Sequence, residues 1–244
     1  MLPFIEFGAL RISSYLFMAA LAFLASTLLV LLRRKSQNIA AWEALSLSCT
    51  TLIGGAAGAK IFHLAGRVMQ GEAFWTARFW LSARLSSGYI WYGGVVGAFI
   101  FLLLYAKIRK MPLKKITDLM TPFALLFNAI ARFGCLLAGC CFGARSTWGL
   151  ALYGVTRFPS PVFESALCLI ILVIILVWKP ERKRPGILLP LFLITYSAGR
   201  FVLEFYRGDA SRGAFLLFST SQWFALLIML ATAIMVMRKR RERK

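Results

Sequence analysis

The segment YSAGRFVLEFYRGD, residues 196–209, has four regularly spaced polar side chains, and the two arginines among them could bind an anion. Tyr196, Arg200, Glu204 and Arg207 recur at helical spacing, so a helix would place them on one face. Arg200 and Glu204 are spaced to form an ion pair, and Arg207 is predicted to reach the outer end of the helix. Two interpretations stay open: a structural ion pair that joins this helix to its neighbours, or a guanidinium fork that binds a phosphate.

A second buried arginine is predicted in RFGCLLAGCCFG, residues 132–143. Arg132 follows Asn128 by four residues, which places both side chains on one helical face. Three glycines follow, ending at Gly143, and they permit close backbone approach or a break in the helix. A broken helix is tolerated at membrane depth where it lines a wet cavity. Arg132 and Arg200 together are predicted to bind a lipid phosphate, the alternative for Arg132 being a structural or snorkelling arginine.

Two further segments place polar side chains at the ends of apolar runs. Glu164 in FPSPVFES lies near the start of one run, and it is a candidate binding residue because a charge in hydrocarbon is costly. Tyr92 in SSGYIWYGGVVG precedes Gly93 and Gly94, which would let another backbone or an acyl chain approach closely. A tyrosine of the aromatic belt at the membrane surface is the alternative interpretation of Tyr92.

Three cysteines in the Arg132 segment, Cys135, Cys140 and Cys141, admit three interpretations. They could pack as small hydrophobes. Cys135 could be a nucleophile whose thiolate is stabilised by Arg132, one helical turn away. They could also bind a metal ion, but the spacing is not that of a zinc site and histidine and aspartate ligands are missing nearby. We therefore expect no metal and no cofactor.

These charged groups lie in a chain whose composition indicates a membrane as its solvent. The 244 residues are 60% hydrophobic, with 29 Lys and Arg against 9 Asp and Glu. That apolarity is too high for a soluble domain of this length. The positive charge is gathered between apolar runs, which is typical of membrane topology rather than of nucleic-acid binding. We expect contact with anionic lipid headgroups and no nucleic-acid partner.

The apolar runs predict an all-α polytopic membrane protein in one domain, residues 1–244. If the spans cross the membrane in alternating directions, the larger Lys and Arg clusters all lie on one side of it. Positive loops favour the cytoplasmic side, so the N-terminus is predicted outside and the C-terminus in the cytoplasm. Residues 67–87 mix aromatic residues with arginine at helical spacing and are predicted to form an amphipathic outer arm. Residues 144–159 are predicted to form an outer loop. The seven predicted spans lie near 13–32, 41–65, 88–106, 117–138, 160–178, 186–206 and 217–237.

Six motifs occur in the order LRISSY, GGAAGAKIFH, YGGVVG, RFGCLLAGCCFG, PSPVFE and YSAGRFVLEFYR. In this order, and over nearly the whole chain, the sequence resembles the prolipoprotein diacylglyceryl transferase family. The resemblance implies a multi-pass enzyme of the bacterial inner (cytoplasmic) membrane. Such an enzyme moves the diacylglyceryl group of phosphatidylglycerol onto the thiol of a lipobox cysteine and releases glycerol 1-phosphate. The implied partners are phosphatidylglycerol, or another anionic phospholipid, and prolipoprotein signal peptides.

The resemblance also implies roles for individual residues. Arg132 falls on the family's signature arginine, and Gly143 falls on the glycine that ends that motif. Arg200 and Glu204 fall on the family's essential pair. The same residues stand out from the spacing of charges alone, whereas only the resemblance supplies a substrate.

This sequence differs from the family pattern mainly at residues that are expected to orient or deprotonate the acceptor thiol. The family has His-Gly-Gly where this chain has Tyr92, Gly93 and Gly94, and a phenol is a poor base at neutral pH. Cys135 and Cys140 replace an asparagine and a glutamate of the family's signature. The pattern is that of a divergent member. Two alternatives therefore stay open: a paralogue that uses phosphatidylglycerol with a non-prolipoprotein acceptor, or a non-catalytic protein that binds or translocates lipid.

Overall fold

Long apolar helices form most of the chain in the computed structural model, which describes residues 4–7, 10–77, 79–80, 82, 91–152, 154–207, 214–215 and 218–241. Each helix coincides with one of the predicted apolar runs. The helices are α1 (Ser14–Arg33), α2 (Ala41–Met69), α3 (Trp91–Ile108), α4 (Leu113–Ala138), α5 (Ser160–Trp178), α6 (Leu188–Glu204) and α7 (Thr220–Arg241).

The helices make this chain a multi-pass membrane protein. Within the described residues, α1, α2, α4, α5 and α7 are long and apolar enough to cross a membrane. The apolar part of α3, Gly93–Ile108, is shorter. Helix α6 has 17 residues and includes two charged side chains, Arg200 and Glu204. The exact count of seven spans and the orientation of the termini stay predictions.

Three short antiparallel hairpins show that the predicted all-α description was too narrow. Strands β1 (Phe4–Phe7) and β2 (Leu10–Ser13) precede α1, and β5 (Ala214–Phe215) pairs with β6 (Phe218–Ser219) before α7. Strands this short have too little alternation to be recognised against long apolar runs.

The predicted outer loop over residues 144–159 is the third hairpin. Strand β3 (Arg145–Leu152) pairs with β4 (Val155–Arg157), and the register shifts between Arg145 and Leu150. Gly149 lies inside this shift with φ of +136°, and a β carbon there would collide with the Arg157 carbonyl oxygen. A glycine therefore permits the close approach of the two strands.

The predicted outer arm, residues 67–87, is described over residues 67–77, 79–80 and 82; the rest lies outside the described residues. Its first three residues are the end of α2. Arg67 donates from Nε to Glu72 Oε1 at 2.9 Å and from Nη2 to Ser82 Oγ at 2.7 Å. The hydrogen bond from Arg67 lowers the pKa of the Glu72 carboxyl. These contacts hold the start of the arm against the end of α2.

The chain divides into two compact units. The first unit is Met1–Val30 with Thr117–Lys244, and the second unit is Leu31–Ile116. The prediction of a single domain stays a prediction.

Helices α2 and α3 pack backbone to backbone in the second unit through facing glycines. A β carbon on Gly58 would lie 2.7 Å from Gly97 Cα and would also collide with the Gly93 carbonyl oxygen. A β carbon on Gly54 would lie 2.5 Å from Phe101 Cβ. Small residues at this spacing allow membrane helices to approach closely and gain van der Waals contact.

Substitution of Gly58 by alanine is expected to destabilise the second unit, because overpacking forces the two backbones apart. We expect a loss of about 1–3 kcal/mol and a lower melting temperature in detergent. Gly55→Ala is the matched control on the same helix, since its β carbon would lie 3.6 Å from the Gly94 carbonyl oxygen, an ordinary contact. Equal melting temperatures for the two variants would contradict this interpretation.

The first unit has a core where α4, α5 and α6 meet. Ser165 Oγ on α5 donates to the Ala129 carbonyl oxygen on α4 at 2.9 Å. The fully buried Asp118 accepts hydrogen bonds from the backbone N–H groups of Gly186 and Leu188, where α6 begins. The core side chains are Leu125, Ala129, Cys168, Ile171, Leu172, Ile175, Leu188 and Tyr196. The site described next lies at one end of these three helices.

Candidate functional site

Glu164 is the centre of a buried ion-pair cluster in the first unit. It lies in the second turn of α5, and its side chain is 0% exposed. Arg132 Nε is 2.6 Å from Glu164 Oε2, and Arg207 Nη1 donates to Glu164 Oε1 at 2.7 Å. Arg200 Nη1 is 3.5 Å from the same Oε1 atom. One carboxylate therefore contacts three guanidinium groups, one from α4 and two from the last part of α6 and the residues after it.

Glu204 provides the second carboxylate. Its Oε2 atom is 2.7 Å from Arg200 Nη2, which is the i,i+4 ion pair that the spacing predicts. Its Oε1 atom accepts a hydrogen bond from Ser219 Oγ at 3.2 Å. Arg200 is thus held between Glu164 and Glu204. We call Arg132, Glu164, Arg200, Glu204 and Arg207 the Glu164 cluster.

The start of α7 contributes to the cluster through a capping box that the sequence analysis missed. Gln222 Oε1 accepts from the Ser219 backbone N–H at 2.9 Å, and Ser219 Oγ accepts from the Gln222 N–H at 3.3 Å. The motif Ser-x-x-Gln ahead of an apolar run is the signal that could have located this helix start. The cap fixes Ser219 where its hydroxyl meets Glu204.

Among the described residues, the Glu164 cluster has an excess of positive charge, because three guanidinium groups face two carboxylates. Arg132 and Arg200 are 12% and 11% exposed, and Arg207 is 2% exposed. Arg132 makes its contact with Glu164 through Nε, on the inner side of its guanidinium group. An uncompensated buried charge is costly, and a guanidinium fork fits the oxygens of a phosphate. The arrangement is therefore suited to bind an anion.

Gly143 joins the segments that hold the cluster. Its N–H donates to the Phe158 carbonyl oxygen at 2.8 Å, and the next N–H, of Ala144, donates to the Tyr206 carbonyl oxygen at 3.0 Å. A β carbon on Gly143 would collide with that Tyr206 oxygen and lie 2.8 Å from Ser160 Oγ. The crossing brings the end of α4, the start of α5 and the end of α6 to one place.

Asn128 and Tyr196 contact each other within the same unit. Asn128 Nδ2 is 3.3 Å from Tyr196 Oη and 3.2 Å from Cys168 Sγ. These contacts join α4, α5 and α6. The role of Asn128 and Tyr196 in binding substrate stays a prediction.

Aromatic side chains surround a cavity beside Gly143. The Phe158 ring stacks on Tyr206 at 5.0 Å and on Phe163 at 4.8 Å between ring centres, and Trp148 meets it edge-on at 5.5 Å. The cavity has a volume of about 160 Å³. Its lining combines Trp148, Phe158 and Tyr206 with Arg145 and Ser146.

The three cysteines of this segment converge where α4 ends. Helix α4 ends at Ala138, the predicted end of this span, and Gly139 leaves the helix with φ of +72°. The Cys140 N–H donates to the Cys135 carbonyl oxygen at 3.0 Å, which folds the chain back on the helix. The Sγ atoms of Cys135, Cys140 and Cys141 lie within 4.8 Å of one another, and all three are free thiols. We call them the thiol cluster.

Electrostatic interactions link the thiol cluster to the arginines. Hydrogen bonds with the Cys135 and Cys140 thiols lower the pKa of the Cys141 thiol, and the positive charges of Arg132 and Arg207 lower it further. Tyr15 of α1 lies close by, since a β carbon on Gly134 would be 3.4 Å from Tyr15 Cα.

The remaining predicted residues lie in the second unit. Gly93 and Gly94 are in the first turns of α3, and the side chain of Tyr92 lies outside the described residues. A β carbon on Gly93 would lie 2.5 Å from Phe62 Cβ, and one on Gly94 would lie 3.3 Å from the Gly55 carbonyl oxygen. The backbone that approaches these glycines is therefore that of α2. A role for Tyr92, Gly93 and Gly94 in substrate binding stays a prediction.

The chain combines several membrane-spanning helices with a buried cluster of arginines and carboxylates. These features define a membrane protein that is suited to bind an anionic group. The sequence profile of the prolipoprotein diacylglyceryl transferases matches residues 3–238, and the chain belongs to this family. Over 237 residues it is 30% identical to phosphatidylglycerol--prolipoprotein diacylglyceryl transferase 2 of Clostridium perfringens, covering 92% of this chain and 90% of that protein. The corresponding transferase of Clostridium tetani is 27% identical over 233 residues, covering 91% of this chain and 90% of that protein.

Proposed function

We propose that this chain transfers the diacylglyceryl group of phosphatidylglycerol to the cysteine thiol of a prolipoprotein signal peptide. The relatives with which it shares nearly its whole length have names that give this activity. The observation that carries the proposal is the Glu164 cluster, in which, among the described residues, three arginines meet two carboxylates. A lipid phosphate would supply the missing negative charge.

The reaction is a substitution at the carbon of the diacylglyceryl group that bears the phosphate. The acceptor sulfur attacks this carbon, and the carbon–oxygen bond breaks with its electron pair moving to the phosphate oxygen. Glycerol 1-phosphate leaves, and a thioether remains on the acceptor. Arg132 and Arg200 bind the phosphate and stabilise the charge that develops on it. Glu164 and Glu204 set the orientation of these arginines, so the arginines need no rearrangement during the reaction.

Tyr92 and Cys135 are each proposed as reacting or assisting groups, and Gly93 and Gly94 are proposed as substrate-binding residues. Asn128, Gly143, Glu164, Tyr196 and Arg207 are proposed to form or support the lipid side. Two contacts support this assignment: Glu164 meets Arg132, and the crossing at Gly143 joins the end of α4 to the start of α5 and the end of α6.

The proposed location is the bacterial inner membrane, with seven spans and the N-terminus outside. The alternation of basic clusters between the helices supports this orientation. In this orientation, four helix termini lie at the outer leaflet: the end of α4, the start of α5, the end of α6 and the start of α7. The Glu164 cluster and the thiol cluster would then meet lipid and signal peptide on the same side of the membrane.

The test is an assay with purified protein, phosphatidylglycerol vesicles and a lipobox peptide. We expect the peptide to gain the mass of a diacylglyceryl group while glycerol phosphate is released in equal amount. Controls are a peptide with serine in place of its cysteine and vesicles of phosphatidylethanolamine alone. Phosphate release without peptide modification would favour a different acceptor. Lipid that is bound but left intact would favour a binding or translocating protein.

A further inference from the structure

The thiol cluster has the dimensions of a metal site. Its three Sγ atoms lie within 4.8 Å of one another, and they come from the last turn of α4 and the two residues after Gly139. A zinc ion with sulfur ligands at about 2.3 Å places those sulfurs about 3.8 Å apart. The thiols therefore need to move by less than about 1 Å to bind one ion.

The backbone of the thiol cluster has an unusual conformation. Cys141 has φ of +62°, a region that residues with a β carbon adopt rarely. Such a conformation costs free energy and persists where the surrounding structure requires it. Here it keeps the Cys141 side chain with those of Cys135 and Cys140. Packing alone does not require three adjacent thiols, since any small apolar residue would fill the space.

Charge and access also fit a cation. Three thiolates with one divalent ion have a net charge of −1, and the positive potential of Arg132, one helical turn before Cys135, favours that charge. Cys135 is buried, whereas Cys140 is exposed, so an ion has a route to the cluster. Among the described residues, the potential metal ligands grouped here are these three cysteines. A tetrahedral ion would keep one open position.

We propose that Cys135, Cys140 and Cys141 bind one thiophilic cation, Zn²⁺ foremost, whose open position binds the acceptor thiol. This revises the expectation from sequence that the chain has no metal. Thiolate ligands select zinc and copper(I) over harder ions, and catalytic zinc sites combine three protein ligands with one open position. The metal site itself is independent of the proposed function, whereas the role of the open position rests on it.

The open position would solve a problem of the transfer reaction, which needs a deprotonated acceptor sulfur. The carboxylates of Glu164 and Glu204 are engaged with arginines. A thiol that binds zinc loses its proton, so the acceptor S–H bond breaks, a sulfur–zinc bond forms and the proton passes to water. The bound sulfur then attacks the glyceryl carbon, the carbon–oxygen electron pair goes to phosphate, and the neutral thioether leaves the zinc.

Co²⁺ binding to the reduced protein in detergent, under anaerobic conditions, tests the site. Sulfur-to-cobalt charge-transfer absorption should saturate at one ion per chain, and Zn²⁺ should displace the cobalt. Cys140→Ser should weaken Co²⁺ binding by about tenfold or more. Mutation of a residue that only holds a metal ligand in place already lowers metal affinity by about tenfold. Cys49→Ser is the matched control, because Cys49 lies on α2 in the second unit. Equal binding by these two variants, or no charge-transfer band in the unsubstituted protein, would overturn the metal site.

Addition of the lipobox peptide to the cobalt-loaded protein tests the open position. We expect the charge-transfer band to grow with the cysteine peptide and to stay unchanged with the serine peptide. No growth, or a wild-type rate of transfer by Cys140→Ser, would overturn the role in thiol activation and leave the proposed transferase function intact. A band that grows while phosphatidylglycerol is never consumed would instead support the thiol site and contradict the proposed function.

Discussion

Replacement of Arg132 by alanine should lower the rate of diacylglyceryl transfer by about 10²–10³-fold, the usual effect of removing one donor that stabilises developing charge. Arg132 contacts Glu164 through Nε, and its Nη groups are proposed to bind the phosphate, so its loss would remove phosphate contacts directly. The measurement is the rate of glycerol phosphate release from phosphatidylglycerol at saturating peptide. Most of the effect should be in kcat, because the charge on the phosphate grows in the transition state.

Two variants control this experiment. Arg132→Lys keeps the charge but presents a single ammonium group, so we expect most of the activity to be lost if two-point binding matters. Arg11→Ala removes an arginine whose side chain is 66% exposed and 3.8 Å from Glu6, and it should retain normal activity. A wild-type rate for Arg132→Ala would refute the phosphate role. A large loss for Arg11→Ala would indicate a general effect of surface charge.

Replacement of Glu164 by glutamine should destabilise the protein by about 3–5 kcal/mol, the cost of leaving buried charges uncompensated. Glutamine has nearly the same shape, so the change tests charge rather than packing. Glu164 contacts Arg132, Arg200 and Arg207 while its side chain is 0% exposed. For a chain of this size, we expect the melting temperature in detergent to fall by about 10 °C.

The control for Glu164→Gln is Glu6→Gln, which removes an exposed carboxylate and should change the melting temperature little. Adding Arg207→Gln to Glu164→Gln should restore part of the stability, because it reduces the unbalanced positive charge. Bound phosphatidylglycerol should stabilise Glu164→Gln more than it stabilises the unsubstituted protein, since lipid phosphate replaces part of the lost charge. An unchanged melting temperature for Glu164→Gln would contradict the central role of this carboxylate.

The sequence by itself determined the helices, because each apolar run is long and bounded by charges. It also determined the Arg200–Glu204 pair, since residues four apart on a helix meet whatever surrounds them. The end of α4 at Ala138 agrees with the predicted end of that span, and the next residue, Gly139, has a backbone conformation that favours glycine. These features depend on residues that are near one another in the chain.

The tertiary structure alone decided that Glu164 is the centre of the site. Arg132, Glu164 and Arg207 are far apart in sequence, and the crossing at Gly143 brings them together through contacts that no local pattern encodes. The same holds for the hydrogen bond of Ser219 to Glu204, for the hairpin in place of the predicted loop, and for the convergence of Cys140 and Cys141 on Cys135. Local spacing sets which side chains share a face, whereas the packing of separate segments sets which faces meet.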